Sequence, residues 1–453
     1  MTELEKLAEF IQKADFKDLT HKTKEELKIR LLDSFGCAFG ALSGDPILRI
    51  QRYIDLMGGS PLVTLINGKK TSPDRAAFYN GALIRYLDFN DSFLAKHETC
   101  HPSDNIAPVL AAAEFSKISG KEFLLSLAIA YAVQCRLSEV APVRAKGFDH
   151  TVQGSYAAAA GVAKALKLSP QEIANAISIS AVAHNALRVT RTGALSHWKG
   201  LAYPETAFTA VHSAFLAREG ITGPEEIFEG NKGFMDTIAG RFSIDWKEQD
   251  LQAVEKTIIK KYNAEIHSQT SIDAALELKR RHAILPQDIE KIEIAVFDVA
   301  FHIIGGGVEG DKTIVRTKEE ADHSLHYMVA VALLDDEVMP QQYNPERIAK
   351  KDVQELLKKI HVRAEKAHTD RFPNEMVTHV TIHMKGGKVF NKEKGDYEGF
   401  WTKPMSFEMA FCKFKHLAEG HISDKKMNAV SQAVHDIENI QVIDLCKILG
   451  EAP

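Results

Sequence analysis

The sequence predicts a mainly α protein in which a large helical domain is built from both chain ends and interrupted by a smaller α+β insert. Three observations carry this. The chain has 453 residues, more than the roughly 250 to 300 over which one hydrophobic core keeps growing, so two domains are expected. Apolar residues recur at helical spacing from the N-terminus to about residue 240, and again from Ser406. Between these stretches, after about residue 285, the pattern changes to the alternation of strands.

The elements follow in order. Leu4, Leu7, Ala8, Phe10 and Ile11 form the stripe of a first helix. Thr23, three residues before Glu26, has the spacing of a capping box, with Leu27, Leu31, Leu32 and Phe35 as the buried face behind it. The segments NIAPVLAAAEFS, FLLSLAIAYAVQCRLSEV, SYAAAAGVAKALKL and EIANAISISAVAH are rich in alanine, which lets helix backbones approach closely and predicts a dense bundle. In DIEKIEIAVFDVAF, Ile289, Ile292 and Ile294 interleave with charged residues and predict a strand. In EMVTHVTIHMKGGKVF, Met376, Val380, Ile382 and Met384 share a face, and Gly386-Gly387 is expected to supply the positive dihedrals of a hairpin turn. Ser406 is a good N-cap for a helix carrying Phe407, Phe411, Phe414 and Ala418, and this last stretch is expected to rejoin the first bundle.

Composition narrows the function. Apolar residues make up 45%, charged residues 26%, and the net charge is -5, a globular balance with no mark of a nucleic-acid binder. A polyanionic substrate would have to be met by local lysine, arginine and histidine, because the overall field weakly repels it. Cys37, Cys100, Cys135, Cys412 and Cys446 are scattered without a C-x-x-C pair, which fits a reducing cytoplasm and gives no thiolate set for zinc or iron-sulfur. The first nineteen residues are charged throughout and hold no apolar run long enough for a signal peptide or membrane span. A mature cytoplasmic start without a membrane partner is the expectation.

The candidate chemistry begins at RYLDFNDSFLAKHETCHPSDN, which gathers Asp88, Asp91, His97, His101, Ser103 and Asp104. A polar surface loop between helices is the plain alternative. A site is favoured because Ser103 and Asp104 precede a helix expected near Asn105, whose N–H groups and dipole would face an anion. His97-Glu98-Thr99-Cys100-His101 also matches the H-E-x-x-H zinc pattern. That pattern needs a continuous helix, and Pro102 disfavours helical dihedrals at His101. No metal site is therefore expected. His150 in KGFDHTVQGSYAAAAG stands before an alanine-rich helix, where capping or core packing is the alternative. Lys199 in TGALSHWKGLAYPE could serve as a point charge for a carboxylate if partly buried. IIKKYNAEIHSQTS brings Lys260, Tyr262, Glu265 and His267 to the junction with the insert, and junctions favour sites. Tyr327 in DHSLHYMVAVALLD reads, on its own, as a tether to the core.

Seven ordered segments, IRYLDFNDSF with HPSDN, KGFDHT, SHWKGLA, GITGPEEIFEGNKGF, AEIHSQTSIDAA and ADHSLHYMVAVALLD among them, resemble the MmgE/PrpD family, which includes 2-methylcitrate dehydratase, cis-aconitate decarboxylase and iminodisuccinate epimerase. The resemblance spans nearly the whole chain. It implies a helical domain over residues 1–268, an α+β lid over 269–404, a return to the helical domain over 405–453, and a homodimer. It further implies a cleft between bundle and lid, with Asp91, His101, His150, Lys199, Lys260, His267 and Tyr327 matching positions that line the active site. No cofactor is implied.

The chemistry common to that family removes a proton or carboxylate from a carbon next to a carboxylate, and the extra negative charge needs cations. The expected roles are Lys199, Lys260, His267 and the Ser103 helix end for substrate carboxylates, and His101 as general base or acid oriented and charge-stabilised by Asp91. His150 or Tyr327 would supply the opposite proton. The expected activity is dehydration of a 2-methylcitrate-like hydroxy acid without metal. Decarboxylation, epimerisation, and a non-catalytic helical dimer that binds organic acids or a protein remain open. Against the last stands the clustering of titratable groups in several loops.

Overall fold

Side-chain caps start the first helices where the local sequence supplies them. In the computed structural model, which describes residues 1–66, 68–193 and 195–451, Thr2 accepts from Glu5 N ahead of α1 (Glu3–Lys13), and Leu4, Leu7, Ala8 and Ile11 are its buried stripe. The next helix, α2 (His21–Gly40), is capped by Thr20, which accepts from Thr23 N. This corrects the start expected at Thr23. Thr23 donates its own hydroxyl to Glu255 (2.6 Å), and the Glu26 carboxylate that a box at Thr23 would need is held by buried Arg30.

Two compact units make up the chain. The first comprises Met1–Thr190, Trp198–Ile259 and Met405–Pro453. After α1 and α2 it contains α3 (Asp45–Met57), α4 (Pro73–Tyr86), α5 (Ile106–Ser116), α6 (Gly120–Val140), α7 (Thr151–Ala165), α8 (Pro170–Ala183) and α9 (Trp198–Arg218). It is helical but not all-helical: β1 (Val63–Thr64) pairs antiparallel with β2 (Lys70–Thr71), and β3 (Phe93–Leu94) with β4 (Thr99–Cys100). The alanine-rich helices pack as their composition demands. A Cβ added at Gly161 of α7 would lie 2.7 Å from Val109 Cγ2 of α5 and 2.9 Å from Ala130 Cβ of α6, so no larger residue fits this crossing. Helix α6 is long and apolar enough to cross a membrane, yet 83% of its most apolar window is buried, the environment of a core helix. Helix Phe407–Ala418, capped by Ser406, sets Phe414 edge-on to Phe39 of α2 at 6.0 Å. Phe414 and Ala418 are fully buried there, Phe407 and Phe411 only half-buried.

The second unit comprises Arg191–His197 and Lys260–Pro404. Its sheet has the order β6 (Ile360–Ala364), β5 (Ile289–Val296), β7 (Thr378–Met384), β8 (Val389–Lys394). β5 runs parallel to β6 and antiparallel to β7. Ile292 faces Ile382 and Ile294 faces Val380, and all four are buried, as the alternation predicts. Helices α10 (Gln269–His282) and Leu325–Asp335 pack on this sheet. Of the two glycines at the hairpin only Gly387 takes a positive φ, +78°. Its N–H closes the turn onto Met384 O, so one left-handed residue suffices.

Candidate functional site

The segment from Asp88 to Asn105 joins α4 to α5, and its shape follows from how its polar atoms are satisfied. Asp88 holds φ at +54°, a conformation costly for a residue with a side chain. Its buried carboxylate sits 2.5 Å from Arg85 Nη1 and 3.3 Å from Lys199 Nζ. Lys199 is buried, the condition under which it could act as a point charge, and Asp88 stands beside it as a counter-ion. Arg85 Nε also lies 3.7 Å from Asp104. Asn90 donates to Ser103 Oγ (2.9 Å) and Asp104 Oδ1 (2.8 Å), tying the two ends of the segment together. From the C-terminal stretch, Lys413 reaches Asp33 at 2.7 Å and donates to the carbonyl of Phe89 at 2.8 Å, with its ammonium 3.6 Å from the Phe89 ring. The return of the chain thus clamps the residue between Asp88 and Asn90.

Asp91 is fully buried. Its carboxylate accepts from Ser103 N and from Tyr131 OH, both at 2.9 Å. Burial lifts this carboxyl above its usual range, against the lowering by Ser103, Arg30 and Tyr131. The expected helix start is a 3₁₀ turn, Pro102–Asn105, leading into α5. The N–H groups expected to face a docking anion are already committed, that of Ser103 to Asp91 and that of Asp104 to His101 O. The anion at this turn is the protein's own Asp91, which corrects the reading of Ser103 as a helix-end carboxylate ligand. Its hydroxyl, which accepts from Asn90, is the group left to consider.

His101 is buried, 7% exposed. Its Nδ1 lies 2.8 Å from the main-chain carbonyl of Asp91 and 3.0 Å from Ser92 Oγ. A carbonyl only accepts, so Nδ1 carries the proton and Nε2 the lone pair in the neutral ring. Asp91 therefore orients His101 through its backbone, not through its carboxylate as expected. The His101 ring meets His150 edge-on at 5.3 Å. His150, at the N-terminus of α7, makes no side-chain cap. It stacks on Tyr203 at 6.2 Å, with Nε2 3.6 Å from Asp149. Tyr203 in turn donates to Asn105 Oδ1 at 2.8 Å. A Cβ at Gly154 would fall 2.5 Å from the Tyr203 ring, so glycine makes room for it.

The letters H-E-x-x-H fall on the β3–β4 hairpin, with His97 exposed, so the two histidines do not share a helix face. Glu98 is instead a structural acceptor for Val143 N (2.9 Å) and Arg144 N (3.0 Å).

In the second unit, Lys260 and His267 are both about 1% exposed. His267 Nδ1 is 2.7 Å from Glu265 Oε1, while Glu265 Oε2 accepts from His267 N at 2.8 Å. Burial would raise the Glu265 carboxyl, but His267, with His323 and Lys260, holds it below its usual range. A second carboxylate–histidine pair, Asp322 with His323 Nδ1 at 2.7 Å, adjoins it, for Glu265 N donates to Asp322 O. Tyr327 does not stand ready to give a proton. It is fully buried, its hydroxyl donates to the carbonyl of Gln342, and burial pushes its ionisation well up. The tether reading is the one its geometry fits.

The first unit thus gathers Asp91, His101, Ser103 and His150, with Lys199 linked through Asp88, Arg85 and Asn90. Lys260 and His267 lie in the second unit, where both act on the charge of Glu265, and the Tyr327 hydroxyl there is taken up by Gln342. Sequence reading missed the part of Asp88 as counter-ion, of Asn90 and Tyr203 as struts, and of Glu265 and His323 as partners. The only signal was their presence inside segments already singled out, since residue spacing does not say which of several polar neighbours a side chain will bond.

The comparisons with known proteins agree in order along the chain. Residues 5–247 match the family model described as the MmgE/PrpD N-terminal domain, and residues 262–438 the MmgE/PrpD C-terminal domain. The chain is similar to cis-aconitate decarboxylase of Mus musculus, 25% identical over 448 residues that cover 93% of this chain and 87% of that protein. It is 28% identical to 2-methylcitrate dehydratase of Salmonella typhimurium over 398 residues, 81% of this chain and 80% of the relative. To 2-methylcitrate dehydratase of Cupriavidus necator it is 30% identical over 347 residues, 70% and 68% of the two chains. With two domain models matched in succession and relatives aligned through both, this protein belongs to the MmgE/PrpD family.

Proposed function

We propose that this protein is a hydro-lyase that dehydrates a small tricarboxylic hydroxy acid resembling 2-methylcitrate, by acid-base catalysis without a metal. The observation that carries the proposal is the buried His101–His150 pair, with His101 held in one tautomer by the Asp91 carbonyl. His101 Nε2 takes the proton from the carbon beside a substrate carboxylate. The electron pair of that C–H bond forms the new C=C bond, and the C–O bond of the neighbouring carbon breaks. The departing hydroxide leaves as water with a proton from His150, which the Asp149 carboxylate supports in its charged form. Negative charge grows on the substrate carboxylate during the first step. Lys199, Lys260 and His267 are assigned to carboxylate binding and Ser103 to a hydrogen bond through its hydroxyl.

Names of the relatives support the substrate class, since 2-methylcitrate dehydratases recur among them. Decarboxylation of cis-aconitate is the second reading. It is favoured by the span of the mouse decarboxylase match, 93% of this chain against 81% for the Salmonella dehydratase. Incubation of chelator-treated protein with 2-methylcitrate, citrate, cis-aconitate and iminodisuccinate, with product identification, separates the two. Conversion of 2-methylcitrate to an unsaturated acid is expected. Carbon dioxide release from cis-aconitate alone would establish the second reading, and inertness towards all four acids would refute both.

A further inference from the structure

His150 is packed by a ring for which the chain has made room. On α7, Gly154 follows His150 by about one turn and so lies on the same face. The Tyr203 ring fills the space a larger residue would take there, since a Cβ at Gly154 would fall 2.5 Å from Tyr203 Cε2. Tyr203 is buried and stacks on His150 at 6.2 Å, with 24° between the ring planes. Burial pushes its ionisation well up, so the hydroxyl keeps a proton to donate. Asn105 Oδ1 accepts it at 2.8 Å. The Asn105 amide nitrogen in turn donates to Pro102 O (2.9 Å) and Gln134 Oε1 (2.6 Å). Pro102 directly follows His101, whose Nδ1 is held by the Asp91 carbonyl. Contacts thus run from His101 through Pro102, Asn105 and Tyr203 to His150, and the 5.3 Å edge contact between the two histidine rings closes the circuit.

We propose that Tyr203 is a positioning residue for the dehydration, anchored by Asn105 so that the His150 ring keeps its place against His101. The proposal rests on the proton-donor role given to His150 above. Taking a proton from one carbon and protonating the hydroxide that leaves its neighbour need both rings in register with one substrate. A misplacement of about 1 Å can cost on the order of 10² in rate. Phenylalanine at position 203 would fill nearly the same volume, but only the hydroxyl ties this ring to the segment that carries His101. Asn105 is committed to that tie. It is fully buried, and it spends its amide oxygen on Tyr203 and its amide hydrogens on Pro102 and Gln134.

The test has two arms, so that the positioning and the donor role of His150 can fail separately. Crystal structures of the substrate-free protein read the positions. In Gly154→Ala, relief of the 2.5 Å approach to an ordinary contact of about 3.5 Å moves the Tyr203 ring by about 1 Å, and the His150 ring is expected to move with it. Tyr203→Phe leaves the packing volume in place and cuts only the anchor, and is expected to shift His150 or spread it over two orientations. A His150 ring that moves in either variant supports the proposal, and one unmoved in both overturns it whatever the enzyme does. In the second arm, Tyr203→Phe is expected to lower kcat for 2-methylcitrate by about tenfold to a hundredfold, with KM within about threefold of the wild type. In a His150→Gln background the same change is expected to add less than about threefold. A loss carried by KM would place the effect on Lys199, on the preceding turn of α9, and overturn the proposal. A full further loss in the His150→Gln background would overturn it as well, because a merely structural effect adds. An unchanged kcat in a Tyr203→Phe protein whose His150 ring has moved overturns the donor role of His150 instead.

Discussion

Replacement of His101 by asparagine separates the proton-transfer role of this residue from its structural one. In the native protein the ring contributes two things, an Nδ1–H for the Asp91 carbonyl at 2.8 Å and a basic Nε2. Asparagine places an amide N–H where Nδ1–H was and has nothing basic to replace Nε2. General acid-base help from a positioned side chain is typically worth about 10² to 10⁴ in rate. At about 1.36 kcal/mol per tenfold, the variant should lose about 2.7 to 5.4 kcal/mol of transition-state stabilisation. The cost to the fold is smaller. The carbonyl keeps its donor, and what disappears is part of a buried ring, including its edge contact with His150 at 5.3 Å, a change on the order of 1 to 2 kcal/mol. Turnover of 2-methylcitrate by His101→Asn, measured beside thermal unfolding, gives both quantities. A variant that unfolds within a few degrees of the wild type and keeps kcat/KM within threefold would refute the assignment of His101.

Other perturbations test neighbouring parts of the account. Tyr327→Phe should leave kcat nearly unchanged while destabilising the protein by about 1 to 3 kcal/mol, because the buried Gln342 carbonyl loses its donor. A collapse of kcat in the folded variant would restore Tyr327 as an acid. Asp88→Asn should destabilise by about 1 to 3 kcal/mol, since it removes a buried carboxylate from beside two buried cations, Arg85 keeping Asp104 at 3.7 Å. Lys199→Met should cost less in chemical denaturation, because Asp88 keeps Arg85, but should weaken substrate binding. Burial depresses His326 from the ordinary 6.5 to about 4, with Asp311 opposing and His361 assisting. Its folded form therefore favours the neutral ring, so the stability it contributes is full above pH 6.5 and lost as pH falls towards 4. The loss is on the order of 3 kcal/mol. His326→Leu should flatten that part of the pH profile of urea unfolding, and an equally steep profile would contradict the linkage.

Periodicity made the helices and the main strands legible, because burial on one face repeats along the chain at 3.6 or 2 residues. Ile289, Ile292 and Ile294 lie in β5 as the alternation predicts, and Ser406 caps its helix. Competition between equivalent local signals was not legible. Thr20 and Thr23 both have cap chemistry and both reach Glu255, and Glu26, which a box at Thr23 would need, is taken by Arg30 one turn on. The same limit governs the site. His101 and His150 stand out by residue type, and the structure brings their rings together. That Asp91 acts on His101 through its carbonyl, while its carboxylate consumes the Ser103 N–H, depends on backbone geometry that no residue letter encodes. Pro102 was a sufficient local signal against a helical H-E-x-x-H, and the hairpin there agrees.

A proton NMR time course of 2-methylcitrate with exhaustively chelated protein is the most direct test of the proposed reaction. Loss of the substrate with the matching growth of an unsaturated tricarboxylic acid, undiminished by chelation, is the predicted result. Persistence of 2-methylcitrate, or turnover that appears only when a metal ion is restored, would contradict it.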